Sequence, residues 1–445
     1  MPLLWHFIWV ISYVMKNYTL LFCLCLSVFS CNSLKSVKQA WLKTSPYEDY
    51  VQSLGKAGLK ETSLAKAWIE AGKQALNDSI LVTLPFTETG FFESSLPQAR
   101  SYRFRVHSGQ VLSISGQTKT LHASGLFADL FLWKDDHWQS LVHADSGLYI
   151  TYEFDKEEFC LLRLQPELLS DTWYSLTIAS KPALINPVKG ATNKSIGSFY
   201  GNDRDAGKRK HEGIDIFAPR GTPVIAPADG MVYSTGTNNL GGKVVWLYDM
   251  KRGQTYYFAH LDSQWVNAGK QIKQGDTLGQ VGNTGNAQHT APHLHFGIYR
   301  SGSQDPLYYV QTTVAPTAIS LDTSFVSSIH KTSVKEGLLH TAPDAKSPLL
   351  YKADKGTFVK QIAKSKDWSR VILPEGSQAY IYSRDISIAN KGKRLLVNDT
   401  LWSEASDKAL PVMNIQSSDQ LELLAHYKNY GYVKTKQQIY GWIKL

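Results

Sequence analysis

The sequence predicts a mainly β, multidomain protein. A central glycine-rich antiparallel β domain follows a β-sandwich-like domain and precedes small β barrels. Three observations carry this expectation. The chain has 445 residues and is 43% hydrophobic, which suits two to four cores rather than one. Charged residues make up only 19%, while tyrosine and tryptophan number 23 and 12, a composition of strands and turns rather than exposed helices. Short alternating runs separated by glycines recur through most of the length.

Residues 1–30 read as a secretory signal. Counted from Met15, the expected true start, Lys16 precedes the apolar run LLFCLCLSVFS, the charge-then-apolar order of such segments. Val28 to Cys31, VFSC, resembles a bacterial lipoprotein cleavage site, although Phe29 is bulky for one. That resemblance implies a lipidated Cys31 anchored in an envelope membrane. The four cysteines are Cys23, Cys25, Cys31 and Cys160. Loss of the signal leaves too few for a disulfide framework, and Cys160, in the apolar FCLLRL, reads as core.

Residues 32–80 predict a helical lead-in that packs on another element. Leu64, Trp68, Ala71 and Ala75 recur near helical spacing, Thr62 or Ser63 can cap the start, and Gly72 opposes it. Residues 81–185 predict the β-sandwich-like domain. In SYRFRV, Tyr102, Phe104 and Val106 share one face, and FCLLRL and TWYSLTI are further strands. A linker rich in Pro, Ser, Asn and Ala follows. Residues 195–312 predict the central domain, with strands such as GGKVVWLYD, QTYYFAHL and HLHFGIY between glycine turns. Residues 325–390 and 391–445 read as two related modules, because Ala379-Tyr380-Ile381 echoes Gly441-Trp442-Ile443. Small five-strand barrels are the expected form.

The net charge of +9 is spread thinly, and no nucleic-acid motif accompanies it. An anionic polymer such as a cell wall, or a membrane, remains a compatible partner.

The chemistry concentrates in TAPHLHFGIY. Residues two apart in a strand point the same way, so His293 and His295 share a face while Leu294 and Phe296 anchor the other. KHEGIDIFAP adds His211 and Asp215, with Gly213 between them to permit a sharp turn. YYFAHL adds His260 at an expected strand end. Imidazoles and a carboxylate without thiolates suit a Zn2+ site that keeps a position open for water or substrate.

The stretch from about 205 to 300, including HEGIDIFAPRGTPVIAPADGMV, TYYFAHLDS and HTAPHLHFGIY, resembles the LytM/lysostaphin-type zinc metallopeptidases, peptidase family M23, of duplicated-hybrid-motif fold. The resemblance implies one Zn2+ per chain, held by His211, Asp215 and His295. It implies that His293 and His260 act on the attacking water, the developing oxyanion and the leaving amine. Relatives that have lost catalysis usually lack one of these groups, and none is missing here. In some relatives an upstream residue fills the open metal position, which draws attention to Asn202 and Asp203 in GNDRDAG. The terminal modules resemble bacterial SH3-like modules, with Trp368, Tyr380, Tyr430 and Trp442 mostly as core and some at a wall-binding groove.

Together these readings imply a zinc-dependent endopeptidase acting on peptidoglycan peptides. Its implied address is the cell envelope, at the periplasmic face of a membrane, as an outer-membrane lipoprotein. The alternatives are a catalytically silent envelope regulator working with another wall hydrolase, and a peptidase of a non-wall protein. An envelope regulatory protein is a further expected partner.

Overall fold

The computed structural model describes residues 44–445 apart from 78, 122, 123 and 318. The signal-like segment, Cys31 and the start of the helical lead-in lie outside the described residues. Among the described residues no helix is long and apolar enough to cross a membrane. The chain divides into two compact units, Met1–Lys60 and Glu61–Leu445.

In the first unit, helix α1 (Pro46–Lys56) opens on a capping box. The Ser45 hydroxyl accepts the Glu48 N–H, the Glu48 carboxylate accepts the Ser45 N–H, and Pro46 occupies the first turn. In the second unit, helix α2 (Ser63–Asn77) starts at Thr62, whose hydroxyl accepts the Ala65 N–H at 3.3 Å. Ala65, Trp68, Gly72 and Ala75 form its buried stripe, while Leu64 is exposed. The Trp68 indole donates to the Pro166 carbonyl at 2.8 Å, which fixes α2 on the strand Glu158–Pro166.

That strand belongs to a five-stranded sheet with Arg100–Val106 and Leu126–Lys134. Tyr102, Phe104 and Val106 are all fully buried, as their alternation requires. Across the core they meet Leu112, Ile114 and Leu176 from a second sheet. The second sheet does not end with this region. Its strand Phe86–Phe92 pairs with Phe358–Ser365 through Thr89↔Lys364 and Gly90↔Ala363, so both regions belong to one sheet of eleven strands. Glu88 and Arg370 meet at this seam, both fully buried, and the hydroxyls of Tyr102, Tyr174 and Tyr380 donate to the Glu88 carboxylate.

The expected SH3-like barrels are not present: no sheet among the described residues closes on itself. The edges that closure would join are already paired. Phe358–Ser365 pairs with Phe86–Phe92, and Leu421–Tyr427 pairs with Lys393–Leu395. The internal echo survives as topology. The first set runs 349–354, 336–340, 378–382, 368–372, 358–365; the second runs 411–415, 399–402, 440–444, 430–435, 421–427, in the same order. Trp368, Tyr380 and Trp442 are buried, so they fill cores instead of lining a groove.

The central ten-stranded sheet positions the functional residues. The strand His293–Tyr299 lies between Ile214–Phe217 and Gln254–Gln264, antiparallel to both. Ile214, Ile216, Phe258, Leu294, Phe296 and Ile298 point into one apolar core and are fully buried. A four-residue helix, Leu307–Val310, covers that core with Tyr309 and Val310.

Candidate metal centre

The register of three strands gathers the polar residues on the face opposite this core. Asp215 stands directly across from His295, and Ala259 stands across from His295 on the other side. His211 approaches from the segment just before the Ile214–Phe217 strand. Three atoms converge: His211 Nε2 lies 3.0 Å from Asp215 Oδ1 and 2.9 Å from His295 Nδ1, and those two are 3.1 Å apart. At the usual zinc distances of about 2.0–2.2 Å, a tetrahedral ion spaces its ligand atoms roughly 3.3 Å apart, close to this triangle. Two imidazoles and one carboxylate, all largely buried and without a thiolate, fit a single Zn2+ as three of its four tetrahedral ligands.

Neighbouring carbonyls set the histidine tautomers. A carbonyl only accepts, so each ring nitrogen facing one carries the proton. His211 Nδ1 donates to the Phe199 carbonyl at 2.9 Å, which leaves Nε2 with its lone pair toward the triangle. His293 Nδ1 donates to Ala291 O at 2.8 Å, and its Nε2 lies 4.0 Å from Asp215 Oδ1. His260 Nδ1 donates to Thr284 O at 2.9 Å, which makes Nε2 its basic nitrogen. The His260 ring centre is 5.0 Å from that of His293 and 6.0 Å from that of His295.

His260 reaches this face by a break in the strand, not at its end. Tyr257 and Ala259 face the ligands and Phe258 faces the core, so strict alternation would bury His260 in the core. Pairing with the strand Gly242–Asp249 runs from Val245↔Phe258 to Lys243↔Leu261, one extra residue on the His260 side. At this bulge the His260 backbone is left-handed, with φ of 62°. The ring turns onto the functional face and Leu261 returns to the core, fully buried.

Burial lowers both His260 and His295, against the Thr284 carbonyl in one case and Asp215 in the other; His260 falls to about 4. Burial would raise the Asp215 carboxyl, but hydrogen bonds and charge from His211 and His295 outweigh it and hold the group well below the usual carboxylate range. The centre thus keeps its carboxylate ionised, as a metal ligand requires, while burial disfavours the charged form of His295.

Gly213 is required by proximity rather than by a turn. Its φ is not left-handed, but an added β-carbon would stand 2.4 Å from the Phe296 carbonyl oxygen and 2.9 Å from the His295 ring. Tyr257, Trp246 and Tyr299 form an aromatic strip on the functional face; Tyr257 meets His295 edge-on with centres 5.8 Å apart. Asn202 and Asp203 are engaged elsewhere: Asn202 Oδ1 accepts the Phe199 N–H, and Asp203 pairs with Lys210 at 2.6 Å. From the same stretch Arg204, which sequence reasoning passed over, reaches Asp215. Only its place in GNDRDAG pointed there.

Residues 209–306 match the family model described as Peptidase family M23. Over 127 residues the chain is 35% identical to the L-Ala–D-Glu endopeptidase of Bacillus subtilis, covering 26% of this chain and 38% of that protein. It is 36% identical over 96 residues to the peptidoglycan DD-endopeptidase ShyC of Vibrio cholerae, covering 21% of each. It is 34% identical over 108 residues to the glycyl-glycine endopeptidase ALE-1 of Staphylococcus capitis, covering 23% and 29%. The chain therefore spans well under half of these relatives. Within that span, residues 209–306 form an M23 metallopeptidase domain with the ligand set for one Zn2+.

Proposed function

We propose that the protein is a zinc-dependent endopeptidase that hydrolyses peptide bonds of bacterial peptidoglycan. The observation that carries this reading is the convergence of His211, Asp215 and His295 beside two histidines with oriented basic nitrogens. In this reading the first three bind zinc, and His260 and His293 handle protons. Zinc, when bound, lowers the pKa of water and polarises a carbonyl.

The remaining work falls to the chain. With Nδ1 tied to a carbonyl, each of His260 and His293 offers Nε2 to take a proton from the attacking water. Burial keeps His260 neutral at neutral pH, ready as an acceptor. Once protonated, the pair donates to the carbonyl oxygen gaining negative charge and returns a proton to the leaving amine. Tyr257 holds the His295 ring edge-on, and the aromatic strip offers an apolar surface for an extended peptide.

The names of the three relatives specify three different bonds, so the bond is to be identified from products. The signal-like order before Cys31 supports an envelope address with a lipid anchor at the periplasmic face of a membrane, and the outer membrane is the address this reading assigns. The test is incubation of the zinc-loaded protein with purified cross-linked peptidoglycan and mass spectrometry of the fragments. New amine ends, absent with chelator and with His293→Ala, are expected. Intact wall beside a protein holding one zinc would overturn the wall-hydrolase reading in favour of an envelope regulator or a peptidase of a non-wall protein.

A further inference from the structure

We propose that Arg204 is a positioning residue of the metal centre, holding one oxygen of Asp215 so that the other stays turned toward the metal. The inference rests on the assignment of His211, Asp215 and His295 as the zinc ligands.

The two carboxylate oxygens of Asp215 have different surroundings. Oδ1 faces the two imidazoles at 3.0 and 3.1 Å. Oδ2 accepts from Arg204 Nη2 at 2.8 Å. The same nitrogen donates to Ser198 Oγ at 2.6 Å, and Ser198 is the cross-strand partner of Asp215. The guanidinium is therefore tied both to the carboxylate and to the strand beside it. A buried carboxylate oxygen without a donor is costly, and a carboxylate free to rotate can present either oxygen or both. The Arg204 contact removes that freedom. A charge-assisted bond from a planar guanidinium sets direction as well as distance. Partners of this kind, one step outside the ligands, orient them and tune the metal.

The local chain is organised around this contact. Asp203–Arg204 pairs antiparallel with Arg209–Lys210, closed by the Asp203–Lys210 ion pair. Ala206 and Gly207 make the turn with left-handed backbones. At the base, Gly201 N–H donates to the His211 carbonyl and His211 N–H donates to the Asn202 carbonyl, both at 2.8 Å. One small hairpin thus delivers Arg204 to Asp215 and leads directly into the ligand His211. The stretch GNDRDAG serves the site by clamping a ligand, not by filling the open metal position.

The test is competition against a chromophoric chelator for zinc, using the full chain, Arg204→Ala and Arg204→Lys. Arg204→Ala is expected to bind zinc about 10- to 100-fold more weakly. Arg204→Lys keeps the charge but loses the planar guanidinium that sets the direction of the contact, and is expected to fall between. Co2+ substitution adds a readout that a merely structural residue leaves unmoved: the visible absorption of Arg204→Ala shifts because Asp215 coordinates differently. Circular dichroism checks folding, and if Arg204→Ala does not fold, the affinity and Co2+ spectrum of Arg204→Lys decide. Unchanged affinity and spectrum in the folded variants would overturn the proposal. Failure of the unsubstituted protein to bind one zinc would instead overturn the ligand assignment beneath it.

Discussion

His260 holds a left-handed backbone, which a β-carbon disfavours by about 1–2 kcal/mol. His260→Gly removes that cost and His260→Ala keeps it. Denaturant titration should therefore find the glycine variant more stable than the alanine variant by about 1 kcal/mol. Both should lose most peptidase activity. Equal stability, or a more stable alanine variant, would contradict the strained bulge. The ring also links stability to pH. Its folded value of about 4 lies below the ordinary histidine value, so the unfolded chain takes up the proton first as pH falls. The contribution of neutral His260 is complete above about pH 6.5 and is lost as pH falls through 4, roughly 3 kcal/mol across that window. Unfolding midpoints of the metal-free protein from pH 4 to 7 should fall on acidification, and His260→Gln should flatten the slope. Residue types and spacing made the five candidate site residues, His211, Asp215, His260, His293 and His295, visible in the sequence. The bulge was not visible, because it depends on the register against Gly242–Asp249, and Arg204 was not, because its partner lies eleven residues on.

The strand His293–Tyr299 shows how one element serves stability and chemistry together. Its alternation sends Leu294, Phe296 and Ile298 into the core and His293 and His295 to the opposite face. Leu294 separates the two histidines, so a cavity beneath it loosens both. Leu294→Ala should lower stability by about 2–5 kcal/mol and weaken zinc binding as well. Calorimetry with and without zinc measures both effects. Loss of stability with zinc affinity unchanged would show that the ligands do not depend on that packing. This alternation was the most legible part of the fold, since a period of two is a local property. The role of Gly213 was legible only as a glycine: its function is proximity to Phe296 and His295, which belong to a strand eighty residues away.

The seam between the segments around 86–92 and 358–365 joins parts of the chain that sequence reading treats as separate modules. It carries a fully buried Glu88–Arg370 pair with three tyrosine hydroxyls on the same carboxylate. Removal of one member leaves a buried charge unpaired, so Arg370→Ala should cost about 3–5 kcal/mol. Limited proteolysis should then release fragments from both sides of the seam, whereas the unsubstituted protein keeps them together. An Arg370→Ala protein as stable and protease-resistant as the parent would contradict this view of the seam. The small-barrel expectation failed here for a physical reason. Strand content and aromatic spacing are local, but whether an edge closes on itself or pairs with a strand 270 residues earlier is decided by the whole chain.

The most direct single measurement is anomalous diffraction at the zinc absorption edge from crystals of the zinc-loaded protein. One peak is expected, bounded by His211 Nε2, Asp215 Oδ1 and His295 Nδ1, with His260 and His293 nearby but not coordinated. A peak coordinated by His293 or His260, or zinc bound elsewhere with that triangle empty, would contradict the account.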